Sequence, residues 1–324
     1  MFNPGATAVG DEVLLLVRVA ERPAEARAGF TALPRAGPGG GVVIDWVPDA
    51  ELEFLDPRLV RLRRTDTVRL TFLSHLRMFR SADGRAVESE SRVRFLPETE
   101  YETYGVEDPR ITRIDDLWYF TYVAVSAHGA LTCLASTADF VRFTRHGVIF
   151  CPENKDVVLF PEKIGGQYVA LHRPNPAQHF CPPQMWISRS ADLLRWGPHA
   201  YFLGGSGGWD SGRIGAGAPP IRTDRGWLEI YHGNNKTPED PGVGAYFGAA
   251  VLLDEDDPGR ILARSPEPIL LPQRDFEIEG FVPRVIFPTG IVQRGDTLQV
   301  YCGAADCGTG VVELSCREVL DALT

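Results

Sequence analysis

Residues 108–122 read Asp108-Pro109-Arg110-Ile111-Thr112-Arg113-Ile114-Asp115-Asp116-Leu117-Trp118-Tyr119-Phe120-Thr121-Tyr122, and the order of parts in that stretch decides the fold. A proline-bearing loop comes first, then a short apolar step, then an Asp-Asp turn. An aromatic and β-branched run follows, the composition of a strand bounded by turn formers. The same order opens at Asn3-Pro4-Gly5, Phe160-Pro161-Glu162-Lys163-Ile164, Pro219-Pro220-Ile221 and Phe287-Pro288-Thr289-Gly290-Ile291. Its turns are Gly10-Asp11, Gly165-Gly166, Arg225-Gly226 and Gly295-Asp296, and its strands cover 13–18, 168–173, 227–232 and 298–301. A second signature recurs as Ser81-Ala82-Asp83-Gly84, Ser136-Thr137-Ala138-Asp139-Phe140 and Ser190-Ala191-Asp192-Leu193. It suits turns between outer strands, because Asp and Ser side chains bond nearby backbone amides.

Five units of roughly fifty to seventy residues, one stretched to about a hundred, exceed a solenoid repeat and match a four-stranded blade. An all-β protein is expected, a five-bladed β-propeller occupying residues 1–324 as one domain. A two-sheet sandwich is the competing answer, and five similar units favour radial repetition. Helical signal is confined to residues 316–323, and 25 prolines fit a loop-rich chain. Residues 21–65 fit the repeat poorly, and their Gly/Pro-rich part, 34–41, reads as a surface excursion from the first blade.

Acidic residues outnumber basic ones, 43 to 33, for a formal net charge of -10. That is the wrong sign for a polyanion-binding surface, so nucleic acid is disfavoured while a local basic pocket for a small anion is not. The six cysteines, at 133, 151, 181, 302, 307 and 316, form no C-x-x-C pair and read as reduced thiols. No leader pattern and no run of membrane-spanning length is visible, which points to a cytoplasmic protein without a membrane partner. The glycine-rich run 212–217 lacks the helix pattern that a dinucleotide loop needs. Asp254-Glu255-Asp256-Asp257-Pro258 reads as an acidic outer turn, not a cation site.

In a propeller the inner-strand ends and blade-joining loops converge on a central funnel. Here those positions carry Asn3, Arg18, Asp108, Arg110, Arg173, His232 and Asp306, a charged set that apolar packing does not select. Within Glu107-Asp108-Pro109-Arg110, proline should limit the backbone before it to extended geometry. Arg110 can orient a carboxylate or a sugar hydroxyl through its fork of donors. Taken alone the tetrapeptide is a surface turn beside an ion pair; at the mouth of a blade it reads as a site.

Six segments appear in order: 2–6 (Phe-Asn-Pro-Gly-Ala), 105–112 (Gly-Val-Glu-Asp-Pro-Arg-Ile-Thr), 154–163 (Asn-Lys-Asp-Val-Val-Leu-Phe-Pro-Glu-Lys), 171–174 (Leu-His-Arg-Pro), 226–233 (Gly-Trp-Leu-Glu-Ile-Tyr-His-Gly) and 301–306 (Tyr-Cys-Gly-Ala-Ala-Asp). Together they make the chain resemble glycoside hydrolase family 130, the mannoside phosphorylases and related mannosidases, over essentially its whole length. The resemblance implies a five-bladed propeller and an inverting single displacement with no metal or other cofactor. It implies Asp108 as general acid, with a proton route through a sugar hydroxyl, and inorganic phosphate as co-substrate attacking the opposite face to give α-mannose 1-phosphate. It places phosphate on Arg173, His232 and Tyr246, with Lys155 as a fourth ligand, and the mannosyl unit on Asn3, Arg18 and Asp306. Glu107 and Arg110 join the sugar side, and of Arg77 and Arg80, strand alternation selects Arg77 for the funnel.

Taken singly, Lys155 reads as a solvated loop charge, Arg173 as a carboxylate's partner, and His232 and Tyr246 as core residues. As a group they separate two functions. A hydrolase needs a carboxylate base for water on the far face, whereas a phosphorylase needs cations there. Phosphorolysis of short β-1,2- or β-1,4-linked manno-oligosaccharides is therefore the expected activity. An inverting β-mannosidase on the same scaffold and a non-catalytic glycan-binding propeller are the alternatives. Tyr104, Trp209 and Phe281 read equally as sugar platforms or packing residues. Family members usually carry a segment ahead of the Asn-Pro-Gly loop; its shortness here is expected to alter blade closure or a homo-oligomer contact, and to leave Asn3 beside a mobile terminus.

Overall fold

The computed structural model describes residues 1–176, 178, 180–236 and 243–324, and it is all-β apart from short helical turns. β1 (Phe2–Val9) and β2 (Glu12–Glu21) begin an antiparallel meander. An insertion follows, made of the hairpin β3 (Phe30–Ala36) and β4 (Val42–Pro48) and a small sheet, β5 (Leu52–Phe54), β6 (Leu59–Leu62) and β7 (Thr67–Leu70). The meander resumes with β8 (Leu73–Ser81) and β9 (Ser89–Phe95). A second runs through β10 (Gly105–Ile114), β11 (Leu117–Ser126), β12 (Gly129–Thr137) and β13 (Thr144–Phe150). The third is β14 (Asn154–Leu159), β15 (Tyr168–Pro174), β16 (Met185–Ser190) and β17 (His199–Leu203). In the fourth, β18 (Arg213–Ala216) and β19 (Ile221–Thr223) both pair with β20 (Gly226–Asn234), followed by β21 (Tyr246–Leu253) and β22 (Ile261–Arg264). After the one-turn α1 (Asp275–Ile278), the fifth meander is β23 (Ile286–Arg294), β24 (Thr297–Ala304) and β25 (Gly308–Ser315). The chain then enters α2 (Cys316–Asp321), the terminal helix that the sequence signals.

Three of the five proline-bearing openings, at Pro4, Pro109 and Pro288, lie within strands β1, β10 and β23 and not in the loops that sequence reading expects, whereas Pro161 and Pro219-Pro220 do lie in loops. Proline is tolerated in β1, β10 and β23 because each of these strands carries a β-bulge that removes ladder pairs. Register slips between Phe2 and Gly5, between Glu107 and Arg110, between Lys155 and Val158, and between Pro288 and Gly290. In the first three bulges a polar residue adopts left-handed backbone: Asn3, Asp108 and Asp156, with φ of 51°, 50° and 55°. Asp108 is thus not in the extended conformation expected before Pro109. Asn and Asp are the non-glycine residues that enter this region most readily, and the bulge turns each side chain away from the strand's normal alternation.

The second signature forms the turns expected of it. Asp83 accepts from the amides of Arg85 and Ala86, Asp139 from those of Val141 and Arg142, and Asp192 from those of Leu194 and Arg195. Between them the meanders pack face to face. Leu16 and Leu76 meet Val106 and Phe120; Ile114 and Leu134 meet Leu159 and Ala170; Leu171 meets Trp227 and Tyr231; Leu228 and Ile230 meet Leu298 and Val300; and Val13 and Leu15 meet Val292 and Tyr301. The opening strands adjoin one another, β1 lying against both β10 and β23. Gly290 makes one approach possible, since a Cβ there would stand 2.7 Å from the Ala6 amide nitrogen. The insertion is more than a surface loop: it holds five strands and its own small core of Leu33, Leu52 and Val60. Among the described residues no helix is long and apolar enough to cross a membrane.

Candidate active site

The bulges of β1 and β10 bring Asn3 and Asp108 together. Asn3 Nδ2 donates to Asp108 Oδ1 at 2.9 Å, and Arg18 Nη1 donates to the same oxygen at 3.0 Å. Arg18 also donates to Glu107 Oε1 at 2.6 Å and to Ser74 Oγ at 3.1 Å, and its guanidinium lies over the Phe2 ring. Asn3 is therefore buried and bonded, not loosened by its nearness to the terminus. Burial works to raise the Asp108 pKa, but Arg18, Arg110, the Asn3 hydrogen bond and Lys155 outweigh it, so the group lies below its ordinary value. Asp306, in the β24–β25 turn, moves the other way. Burial raises it against the pull of Arg18 and Arg58, and the charges of Asp108 and Glu107 add to the rise.

The third bulge builds a second centre. Asp156 Oδ2 pairs with Arg173 Nη1 at 2.6 Å and lies 3.3 Å from His232 Nε2, while Asp156 Oδ1 takes Arg110 Nη2 at 3.1 Å. Arg110 reaches back from here and donates to the backbone oxygen of Asp108 at 3.0 Å. Burial would push Asp156 up, yet Arg173, His232 and Arg110 hold it well below the usual carboxylate range. Burial lowers His232 to about 4 despite Asp156, so the ring is neutral at pH 7. Gly215 backs this centre, because a Cβ there would sit 2.6 Å from Asp156 Oδ2 and 2.8 Å from His232 Cε1. The glycine-rich run dismissed as a dinucleotide loop thus makes room for a carboxylate and an imidazole.

Both centres open on one cavity of 1310 Å³. Its lining includes Asn3, Arg18, Glu107, Asp108 and Asp306 from around the first centre, and Lys155, Asp156, Arg173 and Tyr246 from around the second. Lys155 and Arg173 are cross-strand partners in the β14–β15 register. Three residues assigned to ligand contact, His232, Arg110 and Arg77, do not reach the wall. His232 is fully buried and Arg110 is 2% exposed, so both support Asp156 from behind. Arg77 is a plain correction: it lies in β8 away from the cavity and pairs with Glu90 of β9, while Arg80 pairs with Glu12. Alternation separates the two faces of a strand, and neither Arg77 nor Arg80 lines the cavity. Tyr104 lines the cavity, whereas Trp209 packs beside Tyr231.

Sequence reading passed over Asp156, Arg213 and Arg58, all on the cavity wall. Asp156 had a usable signal, since Lys155-Asp156-Val157 occupies the place of Phe2-Asn3-Pro4 and Glu107-Asp108-Pro109 once the polar residue, not the proline, is aligned. Arg213, at the start of β18, adds its charge beside Arg173. Nothing local marks Arg58, which arrives from the insertion.

Two carboxylate and cation centres lining one cavity, on an all-β frame of meanders, suit an enzyme acting on a polar, hydroxyl-rich substrate. A family profile described as beta-1,4-mannooligosaccharide phosphorylase, glycoside hydrolase family 130, matches residues 47–324. A beta-1,2-mannobiose phosphorylase of Listeria innocua is 39% identical over 328 residues, covering 99% of this chain and 90% of that protein. A 1,2-beta-oligomannan phosphorylase of Thermoanaerobacter sp. is 41% identical over 226 residues, 68% of this chain and 72% of the relative. The solved structure of the beta-1,2-mannobiose phosphorylase from Listeria innocua with beta-1,2-mannobiose superposes with a TM-score of 0.91 at 40% identity, over 99% of this chain and 91% of that one. The chain belongs to glycoside hydrolase family 130.

Proposed function

We propose that the chain is a five-bladed β-propeller enzyme that cleaves β-mannosides by phosphorolysis, with β-1,2-linked mannobiose as its first substrate to try. Radial closure accounts for the five face-to-face layers, the last of which returns from the fifth meander to the first. The linkage follows the long, nearly full-length likeness to a beta-1,2-mannobiose phosphorylase.

The reaction follows from the division of charge. A mannosyl unit lies against Asn3, Arg18 and Asp306, with its glycosidic bond beside Asp108. Phosphate enters against Lys155, Arg173 and Tyr246, and one of its oxygens attacks the anomeric carbon as the bond to the leaving sugar breaks. The proton from Asp108, passed through a sugar hydroxyl, completes the leaving group, and inversion gives α-mannose 1-phosphate. Free Asp108 is a carboxylate, so loading must supply the proton. Phosphate neutralises part of the field that lowers Asp108, and sugar excludes water from it; both raise its pKa.

One observation carries the choice of phosphate over water. Asp156, the carboxylate on the cation side, is already engaged by Arg110, Arg173 and His232, which suits holding cations in place and not deprotonating water. The test incubates the protein with β-1,2- and β-1,4-mannobiose, with and without phosphate. Sugar phosphate formed only when phosphate is present supports the reading. Mannose release without phosphate would replace it with a mannosidase.

A further inference from the structure

The insertion after β2 contributes a rigid cation to the cavity. Its turn at residues 56–59 is tied to the main body: Pro57 O accepts from Arg22 Nη2 and from Thr71 Oγ1, each at 3.0 Å, and Thr71 N donates to Arg58 O at 3.0 Å. Arg22 in turn lies over the Phe281 ring, 4.8 Å from its centroid. Within the turn, Asp56 accepts from Arg58 N at 2.7 Å, from Nε at 3.3 Å and from Nη2 at 3.0 Å. One edge of the guanidinium is therefore fixed, leaving Nη1 as the donor not committed to Asp56. Arg58 lines the cavity together with Leu55, Leu59 and Leu70 of the same insertion, and its charge pulls on Asp306.

We propose that Arg58 binds the leaving sugar, Nη1 donating to its hydroxyls while Leu59 and Leu70 cover a face of the pyranose ring. The proposal rests on the phosphorolysis reading above and names a residue that sets acceptor choice within it. Two features select a sugar over phosphate. Asp56 offsets part of the charge of Arg58, so the pair offers directed hydrogen bonds and a weaker net field for an anion than a lone guanidinium would. The apolar neighbours suit the C–H face of a pyranose and would only raise the desolvation cost of a phosphate.

The test measures wild type, Arg58→Ala and Arg58→Lys in both directions: phosphorolysis of β-1,2-mannobiose, and synthesis from α-mannose 1-phosphate with mannose as acceptor. Arg58→Ala is expected to raise KM for acceptor mannose about tenfold or more, and to leave KM for phosphate and for α-mannose 1-phosphate within about twofold. Arg58→Lys keeps the charge but not the fork on Asp56, and should recover only a minor part of the loss. An acceptor KM unchanged by Arg58→Ala overturns the proposal, as does a matching rise in KM for phosphate or full rescue by lysine. If Arg58→Ala fails to fold, judged by its melting curve, Arg58→Lys carries the same comparison. If wild type turns over no mannoside, the phosphorolysis reading fails separately. Calorimetric titration of mannose into wild type and variant then decides Arg58, weaker binding supporting the proposal and equal binding overturning it.

Discussion

At the scale of single residues, the site depends on polar side chains held in left-handed backbone. Asn3, Asp108 and Asp156 share that conformation, and asparagine tolerates it as aspartate does. Asp108→Asn should therefore cut kcat by about a thousandfold with an unchanged melting temperature, whereas Asp108→Ala should lose the same activity and also about 1 kcal/mol of stability. Parallel kinetics and thermal melts separate the two effects. The buried imidazoles set a pH dependence. Burial lowers His232 from 6.5 to about 4, and His172, beside Arg173, from 6.5 to about 3 with His199 adding to the shift. Between those values the unfolded chain binds more protons, so stability is complete above pH 6.5 and is lost as pH falls toward 4. For His232 alone the loss is on the order of 3 kcal/mol, to be read from urea melts across that range and flattened in His232→Gln. Asp156, lowered well below 3.8, adds its loss only at still lower pH.

At the scale of elements, the sequence displayed the meanders because their signals are local. Asp83, Asp139 and Asp192 bond amides two and three residues onward, and alternating strands lie between such turns. Bulges were not legible, because a register slip is a property of two strands and not of one. The same limit hid Asp156, whose aim depends on a slip against β15. It also misplaced Arg77, which pairs with Glu90 of β9 instead of lining the cavity. Arg58 was hidden for another reason: docking of the insertion depends on Arg22, Thr71 and Phe281, none of them near neighbours of its turn. Gly215 offers a test of the bulge geometry. Gly215→Ala would press on Asp156 and His232, and should raise KM for phosphate by about tenfold while changing KM for the disaccharide much less. Equal changes in both constants would mean that the two sides of the cavity are not separate.

At the scale of the whole molecule, the last meander is fastened to the first. Thr289 Oγ1 donates to Pro4 O at 2.9 Å, Tyr301 OH to Gly84 O at 2.8 Å, and Arg85 pairs with Glu313. Thr289→Val should cost about 1 kcal/mol, measured by denaturant unfolding, because it leaves a buried carbonyl without that donor. Arg110 gives the assembled molecule one more property. It holds the Asp108 backbone with one nitrogen and the Asp156 carboxylate with another, so the two halves of the cavity share a mechanical link. Occupancy of one half is expected to shift the affinity of the other through this link, and thermodynamics makes any such influence equal in both directions. An inert tetrahedral anion such as sulfate should accordingly alter mannose affinity by the same factor by which mannose alters sulfate affinity, and Asp156→Asn should bring that factor toward one. The protein would then behave as a two-input device, in which neither co-substrate is bound without the other being weighed.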